Sequence, residues 1–265
     1  TRDIKSVLLN NPPLITFDEK EKKLGDEFLL KNNISNNDKI ICIHYRSNSY
    51  RDEKITSVRN SSGKNLYKTI NHFINEGYKV IRVGRDEKVP LKINNKSFFD
   101  YSSNKFQNDF LDFYIVSKCI FCISAASGTM ELANWMRKPV MVHNLFPLEN
   151  IMNYDDNFKK IVLPKKIWNI KKSKYIKFNN NIDLKIKNIS NLDLLRMSGF
   201  DLIENTEDEI YETAKEFSAL LKNNTRSNTN QMVFFEEFNR KYNNLLPKNL
   251  KISDYFINKN SELFS

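Results

Sequence analysis

The chain has 265 residues, of which 40% are hydrophobic and 12% aromatic, enough to bury the core of one large domain or two small ones. It contains no run of 18 apolar residues, so we predict no transmembrane helix, and its three cysteines give no disulfide framework, so we expect a reducing, cytoplasmic compartment. Its net charge of +10 comes from lysines spread along the whole chain and predicts a generally basic surface.

Hydrophobic spacing predicts helices and strands that alternate through the first 144 residues. In chain order they are a helix at 19–33 capped by residues 16–18, a strand at 39–44, a polar loop at 45–63, a helix at 64–78, strands at 79–84 and 97–102, a helix at 108–119, a strand at 119–124, a helix at 127–138 and a strand at 139–144. This alternation is typical of an α/β fold, a parallel sheet with helices covering it.

The chain is less regular after residue 150. A helix is predicted at 206–223, where Thr206 and Glu209 have the spacing of a capping box. A loop follows, and residues 232–265 are predicted to form short helices. We therefore divide the chain into an entry segment or linker (1–35), an α/β domain (36–222) and a C-terminal helical tail (223–265).

The first candidate site is His44-Tyr45-Arg46, where an apolar strand meets the polar loop. Open α/β sheets bind ligands outside the carboxyl ends of their strands, which is where this tripeptide is predicted to lie. The alternative is that these are solvated loop residues.

The second candidate site is the start of the helix at Ser127-Gly128-Thr129. Small residues let the backbone approach a ligand, and the free N–H groups and dipole of a helix start favour a phosphate. Glu131, one turn further on, could accept hydrogen bonds from ribose hydroxyls. The alternative is an ordinary strand–helix turn in which Ser or Thr caps the helix.

Arg82 is the third candidate, because a charge inside a predicted strand is costly unless it is paired. Either Asp100, Asp109 or Asp112 neutralises it, or it faces the cleft and binds an anion. A guanidinium suits a pyrophosphate, so Arg46 and the helix start at 127–129 would hold a diphosphate from two sides.

Several other patterns carry no site. The chain has neither a Gly-x-Gly-x-x-Gly fingerprint nor a P-loop. Cys119 and Cys122 form a Cys-x-x-Cys without a second pair, which favours small buried core residues over a metal site. His72 is predicted to lie on the surface and His143 in the core or at a sheet edge. The basic, aromatic stretch 163–178 could contact phosphates, but no nucleic-acid motif surrounds it.

These motifs resemble a family of bacterial glycosyltransferases encoded with surface-polysaccharide genes, over about residues 10–265. The residues that carry the resemblance are His44-x-Arg46, Tyr50, Arg59-Asn60, Tyr67, "GYKVIRVG" (77–84), the segment 100–144, "LPKKIW" (163–168), "GFDLIENTEDEI" (199–210) and "DYFINKNSELF" (254–264). More distantly, His-x-Arg at a strand end is similar to fucosyltransferases that use GDP-fucose.

The resemblance implies the donor-binding, Rossmann-like half of a GT-B fold. It implies a transferase that moves a sugar from a nucleotide-diphosphate donor, with a GDP-sugar favoured, to a glycan or lipid-linked acceptor. No metal or other cofactor would be required. Arg46 would neutralise the leaving diphosphate, His44 would orient the loop or contact the donor, and Arg82, Ser127, Gly128, Thr129 and Glu131 would bind the donor.

The chain departs from the family pattern in two ways. The family has Asp after the His-x-Arg arginine, where this chain has Ser47, and only about 35 residues precede the first strand, whereas an acceptor domain needs on the order of 100. We therefore expect 1–35 to be the remnant of, or the link to, an N-terminal acceptor domain. Two rivals remain: a non-catalytic nucleotide-sugar or glycan-binding module, and a nucleic-acid-binding basic protein. We expect no nucleic-acid partner and a location at the inner face of the membrane.

Overall fold

A seven-stranded, all-parallel sheet forms the centre of the protein. The computed structural model describes residues 10–13, 15–47, 56–85, 90–148, 159–180, 186, 188–223, 229–242 and 250–264. The strands of this sheet are β1 (Ile40–His44), β2 (Lys79–Arg82), β3 (Phe98–Asp100), β4 (Phe121–Ala125), β5 (Val140–Leu145), β6 (Lys160–Pro164) and, last along the chain, β10 (Lys251–Ile252). Their spatial order is β10-β6-β5-β4-β1-β2-β3, with every neighbouring pair parallel. Read from the other edge, strands β1 to β6 follow the order β3-β2-β1-β4-β5-β6, which is the 3-2-1-4-5-6 order of a Rossmann fold.

Helices cover both faces of this sheet, as the sequence predicts. The described helices are α1 (Glu19–Lys31), α2 (Tyr67–Asn75), α3 (Asp109–Lys118), α4 (Gly128–Trp135), α5 (Leu192–Met197), α6 (Glu207–Asn223), α7 (Thr229–Lys241) and α8 (Asp254–Lys259). Helices α1, α3 and α4 contact one another over one face, while α2, α6 and α8 pack over the other. The prediction of an α/β sheet with helices on both faces is confirmed.

The central strands are apolar on both faces, because helices lie above and below them. In β1, Ile41 and Ile43 are fully buried on the face toward α2 and α6, and Cys42 is fully buried on the opposite face. On the first of these faces, the Phe121 ring of β4 makes edge-to-face contacts with Phe73 of α2 and Phe217 of α6. Buried aromatic pairs of this kind add about 0.5–1.5 kcal/mol each beyond the area they bury.

Both helix starts that the sequence marks most clearly have the expected caps. Asp18 accepts a hydrogen bond from the Glu21 N–H, and Glu21 accepts one from the Asp18 N–H, which forms a capping box at the start of α1. Thr206 and Glu209 make the same reciprocal pair at the start of α6. Each pair satisfies N–H groups that have no partner inside the helix.

The second half of the chain contains structure that the sequence did not predict. A small antiparallel sheet has the order β8-β7-β9, formed by β7 (Lys166–Asn169), β8 (Lys174–Tyr175) and β9 (Phe200–Ile203). Ile167 and Leu202 of this sheet belong to a second apolar cluster, together with Leu195 of α5. The tail predicted as helical from 223 onward also contributes β10, which pairs with β6 at the sheet edge. Two-residue strands such as β8 and β10 are too short to show an alternating pattern in the sequence.

Within the described part of the chain, no helix combines the length and the apolar character needed to cross a bilayer.

Candidate functional site

A cleft of about 360 Å³ lies at the carboxyl ends of β1, β2 and β4. Its lining combines polar side chains from the segments that follow these strands with the first residues of α4 and two acids of α3. The lining residues are His44, Tyr45, Arg46, Ser47, Val83, Gly84, Arg85, Asp109, Asp112, Val116, Ser127, Gly128, Thr129 and Leu132. The structure therefore brings together His44, Arg46 and the 127–129 helix start, three of the features singled out in the sequence.

The position of this cleft follows from the order of the strands. Strand β1 pairs with β2 on one side and β4 on the other, so the segments that leave β1 and β4 diverge to opposite sides of the sheet. The gap between diverging segments is the topological switch point, where open α/β sheets bind ligands. The described loop residues around the cleft stop at Ser47, and the loop residues 48–55, with Tyr50 and Arg51, lie outside the described ranges.

His44 forms the floor of the cleft and is 9% exposed. Its Nδ1 lies 3.1 Å from Ser127 Oγ and 3.3 Å from Ser124 Oγ. Burial, followed by the charges of His143, Arg82 and Arg46, lowers the pKa of His44 to about 3. The imidazole is therefore neutral at physiological pH.

One tautomer of this neutral ring fits its neighbours. Ser124 Oγ already donates its proton to the Ala125 carbonyl at 2.8 Å, so toward His44 it can only accept. This favours a proton on Nδ1 and leaves Nε2 as an acceptor. That edge of the ring lies beside Gly84, where an added Cβ would be 3.1 Å from Nε2 and 2.6 Å from Cδ2.

The start of α4 is open toward the cleft. Ser127 occupies the N-cap position, but its side chain makes no capping hydrogen bond and points to His44 instead. A Cβ added at Gly128 would meet no atom within 4 Å, so this part of the backbone is accessible. An uncapped helix start with an accessible backbone is suited to bind an anion.

Arg46 lines the same cleft as the start of α4 and is half-buried. Its carbonyl accepts a hydrogen bond from the Ser61 N–H at 2.8 Å. The buried Lys165 ammonium donates to the Val58 and Asn60 carbonyls at 2.9 and 2.6 Å. These bonds hold the end of the polar loop to which Ser61 also belongs. Lys165 belongs to the basic stretch 163–178, so part of that stretch is structural rather than available to phosphates.

Arg82 takes the structural one of its two predicted alternatives. It is 1% exposed, its Nη1 lies 3.0 Å from Asp100 Oδ2, and its guanidinium lies 4.3 Å from the centre of the Tyr45 ring. Within the described ranges, the cleft lining does not include it. Arg82 therefore fixes Tyr45 directly before Arg46, and a donor contact from Arg82 stays a prediction.

Arg85 is the cleft arginine that the sequence reasoning missed. It follows Gly84 just beyond the end of β2, and it forms ion pairs with Asp109 and with Asp112 Oδ2, the latter at 3.0 Å. Of the three acids predicted as possible partners of Arg82, Asp100 pairs with it, while Asp109 and Asp112 pair with Arg85 instead. The rule that singled out Arg46, a basic residue just beyond a strand end, would also have found Arg85.

Glu131 is not part of the cleft lining in the described residues. Its Oε2 accepts a hydrogen bond from Asn134 Nδ2 at 3.0 Å. Burial lowers the pKa of the nearby Lys160 ammonium to about 7, and the negative charge of Glu131 opposes that shift. A ribose contact from Glu131 stays a prediction.

A buried network supports the floor from the side of β5. His143 is fully buried, as one of its predicted alternatives requires, and its Nε2 donates to the His44 carbonyl at 3.0 Å while its Nδ1 accepts from Asn144 Nδ2 at 2.9 Å. Asn144 and Asn205 exchange two further hydrogen bonds between main chain and side chain. The network thus ties the end of β1 to β5 and to the segment before α6.

Comparison with solved structures finds the same fold in a glycosyltransferase. The crystal structure of the glycosyl transferase family 9 from Veillonella parvula DSM 2008 matches with a TM-score of 0.50 and 16% identity, over 78% of this chain and 53% of that one. At this identity the match shows the fold, the Rossmann-like half of a GT-B glycosyltransferase structure. The chain spans about half the length of this neighbour.

Two further structures match less closely. The ADP-heptose lipopolysaccharide heptosyltransferase II of E. coli matches with a TM-score of 0.40 and 12% identity, over 57% of this chain and 45% of that one. The iron-containing dodecameric heptosyltransferase TibC of enterotoxigenic E. coli, in complex with ADP-D-β-D-heptose, matches with a TM-score of 0.32 and 21% identity, over 44% of this chain and 29% of that one. In sequence, no protein-family model and no curated protein matches the chain.

Proposed function

We propose that this chain is the donor-binding part of a GT-B glycosyltransferase that acts in bacterial surface-polysaccharide synthesis. It would transfer a sugar from a nucleotide-diphosphate donor, with a GDP-sugar favoured, to a glycan or lipid-linked acceptor. The observation that supports this most directly is the cleft at the β1–β4 switch point, which Arg46 and the uncapped start of α4 both line.

In this proposal the donor diphosphate lies between Arg46 and the N–H groups of Gly128 and Thr129. During transfer the bond from the anomeric carbon to the diphosphate oxygen breaks, a bond to the acceptor oxygen forms, and the acceptor hydroxyl passes its proton to a general base of the acceptor-binding part of the enzyme. Arg46 and the helix dipole stabilise the negative charge that develops on the diphosphate. These groups would act without a metal.

His44 would orient the donor through Nε2 rather than remove the acceptor's proton. A nitrogen with a pKa of about 3 is a weak base at neutral pH, whereas efficient general bases have values near the working pH. An unprotonated Nε2 can still accept a hydrogen bond from a hydroxyl of the donor. Ser124 would hold the ring in this tautomer, because its hydroxyl can only accept from Nδ1.

Calorimetric titration with GDP, UDP, ADP and CMP tests the site. We expect one nucleoside diphosphate to bind selectively, and Arg46→Ala to weaken that binding by about tenfold or more, since charge-assisted contacts contribute about 1.5–3 kcal/mol. Arg196→Ala is the matched control, because Arg196 is half-exposed and pairs with Asp193 and Asp201 on the surface. Equal affinities of the wild type and Arg46→Ala would exclude the proposed diphosphate position.

A non-catalytic binding module is the second candidate, because the chain spans about half of the matching glycosyltransferase structure. It predicts the same selective nucleotide binding, but neither sugar transfer nor hydrolysis of the donor. Incubation with radiolabelled nucleotide sugars and membrane glycolipids distinguishes the two: sugar transfer or donor hydrolysis would eliminate the binding module.

We also propose that the protein works in the cytoplasm at the inner face of the membrane. The turn between β7 and β8 exposes Ile170, Tyr175 and the lysines 171, 172 and 174. Basic residues beside exposed apolar ones favour an anionic lipid surface. Sedimentation with phosphatidylglycerol vesicles, compared with phosphatidylcholine vesicles, tests this, and equal recovery from both would exclude it. We propose no nucleic-acid partner.

A further inference from the structure

Three buried sulfur atoms meet beneath the floor of the cleft. Cys42 of β1 and Cys122 of β4 lie directly opposite each other in the sheet register, and Cys119 comes from the end of α3. The three Sγ atoms lie within 4.8 Å of one another, with Cys119 and Cys122 3.5 Å apart. All three residues are at most 1% exposed. The sequence showed only the Cys-x-x-Cys, because Cys42 joins it through the β1–β4 pairing.

A main-chain oxygen completes a four-atom donor set. At the end of α3 the Cys119 N–H turns to the Val116 carbonyl, at 3.3 Å, instead of continuing the helical pattern to Ile115. The Ile115 carbonyl accepts a weak hydrogen bond from the Cys42 thiol, with 3.9 Å between the oxygen and Sγ. In tetrahedral zinc sites with metal–ligand bonds of about 2.0–2.3 Å, ligand atoms are about 3.7 Å apart. The observed separations would need to change by only a few tenths of an ångström to about one ångström.

We propose that Cys42, Cys119, Cys122 and the Ile115 carbonyl form a structural site for a thiophilic divalent cation of the zinc type. Three thiolates and one divalent ion leave a single negative charge. The ammonium of Lys138 lies near enough to act on both Cys119 and Cys122 and would offset that charge.

The location gives the site a structural rather than a catalytic role. Cys42 of β1 and Cys122 of β4 lie two residues before His44 and Ser124, on the same face of the sheet. The cysteines therefore lie below the cleft and do not line it. The ion would join the carboxyl end of α3 to the two central strands. The opposite end of α3 carries Asp109 and Asp112 of the cleft, so the ion would fix the orientation of that helix.

This burial determines how the site must be tested. An ion has no open path to sulfurs that are at most 1% exposed, so it would be captured as the chain folds. The whole chain, unfolded in denaturant with a reductant, should therefore be refolded with Zn²⁺, with Cd²⁺ or with a chelator. We expect about one Zn²⁺ per chain by elemental analysis, an ultraviolet thiolate-to-metal absorption band with Cd²⁺, and a higher Tm than for the chelator-refolded protein.

Two variants separate metal binding from packing. Cys119→Ala removes one ligand, and we expect it to lose the bound metal and the absorption band. Ile115→Val alters the packing beside the site but keeps the main-chain carbonyl, and we expect it to retain the metal. Less than about 0.1 metal ion per chain after refolding, with no Cd²⁺ band and an unchanged Tm, would show that the thiols are only core residues. Because these readouts involve no nucleotide, their outcome is independent of the proposed glycosyltransferase activity.

Discussion

Two glycines shape the residues that lead into the cleft. Gly63 lies against the Tyr45 ring, where an added Cβ would be 2.5 Å from Cε1, and Gly84 lies equally close to the His44 ring. On its other side Tyr45 contacts the Arg82 guanidinium. The side chains of His44 and Tyr45 are therefore fixed by close packing, and this packing also holds the main chain that leads into Arg46.

Gly84→Ala is expected to destabilise the protein and distort the cleft. Gly84 has φ of +110°, and its new methyl group would lie 2.6 Å from His44 Cδ2. Backbone strain and overpacking together predict a loss of about 2–3 kcal/mol in the free energy of unfolding. Urea denaturation measures it. Gly128→Ala is the control, because its methyl group would enter open space, and similar midpoints for the two variants would contradict this account.

Asp109→Asn is expected to tighten nucleotide-diphosphate binding by about two- to fivefold. Asp109 pairs with Arg85 at the cleft, and its side chain is 85% exposed. Removing its charge reduces repulsion of the diphosphate and frees Arg85 to contact it; an exposed pair contributes up to about 1 kcal/mol. Isothermal titration calorimetry measures the effect, with Asp193→Asn as a surface control. Weaker binding by Asp109→Asn would show instead that the carboxylate assists the donor.

At the scale of elements, one buried ion pair joins the small antiparallel sheet to α6. Lys166 Nζ of β7 lies 2.9 Å from Glu209 Oε1, and the two side chains are 10% and 0% exposed. The other carboxylate oxygen of Glu209 accepts the Thr206 N–H at 2.8 Å. One carboxylate therefore both caps α6 and attaches it to β7.

Glu209→Gln is expected to lower the free energy of unfolding by about 3 kcal/mol. The amide can keep the cap, but it leaves the Lys166 ammonium buried without its counter-charge, and breaking a buried pair costs about 3–5 kcal/mol. Thr206→Ala, which removes only the cap, should cost about 1 kcal/mol. Chemical denaturation distinguishes the two, and equal losses would show that the ion pair contributes little.

The sequence predicts five of the seven strands of the main sheet, because each has its own apolar pattern, whereas β6 and β10 lie in the less regular part after residue 150 and were not predicted. The strand ending at His44 and the helix starting at Ser127 were placed correctly, and both border the cleft. The assignment of Arg82 and Arg85 depended on strand register, since Asp100 comes opposite Arg82 only when β2 and β3 pair. The meeting of Cys42 with Cys122, and of His44 with Ser127, likewise requires tertiary contacts that no local spacing encodes.

At the scale of the whole molecule, two buried neutral histidines link stability to pH. Burial, followed by neighbouring positive charge, lowers the pKa of His44 to about 3, and burial lowers that of His143 to about 4. In the unfolded chain both titrate near 6.5. Between about pH 6.5 and 4 the unfolded state therefore binds more protons than the folded state, so stability must fall as the pH falls.

We expect the free energy of unfolding to decrease in this window by up to about 1.4 kcal/mol per pH unit for each histidine. His143→Gln removes one of the two titrating groups, while its amide can still donate to the His44 carbonyl, so its slope below pH 6 should be shallower than that of the wild type. His72→Gln is the control for removing a histidine outside this buried network, since His72 lies half-buried on α2 against Tyr211. Urea denaturation at about pH 4.5, 5.5, 6.5 and 7.5 gives all three slopes. If His143→Gln and the wild type lose stability in parallel, carboxylates rather than the buried histidine pair control the acid sensitivity, and the neutral state assigned to His44 in the cleft loses its support.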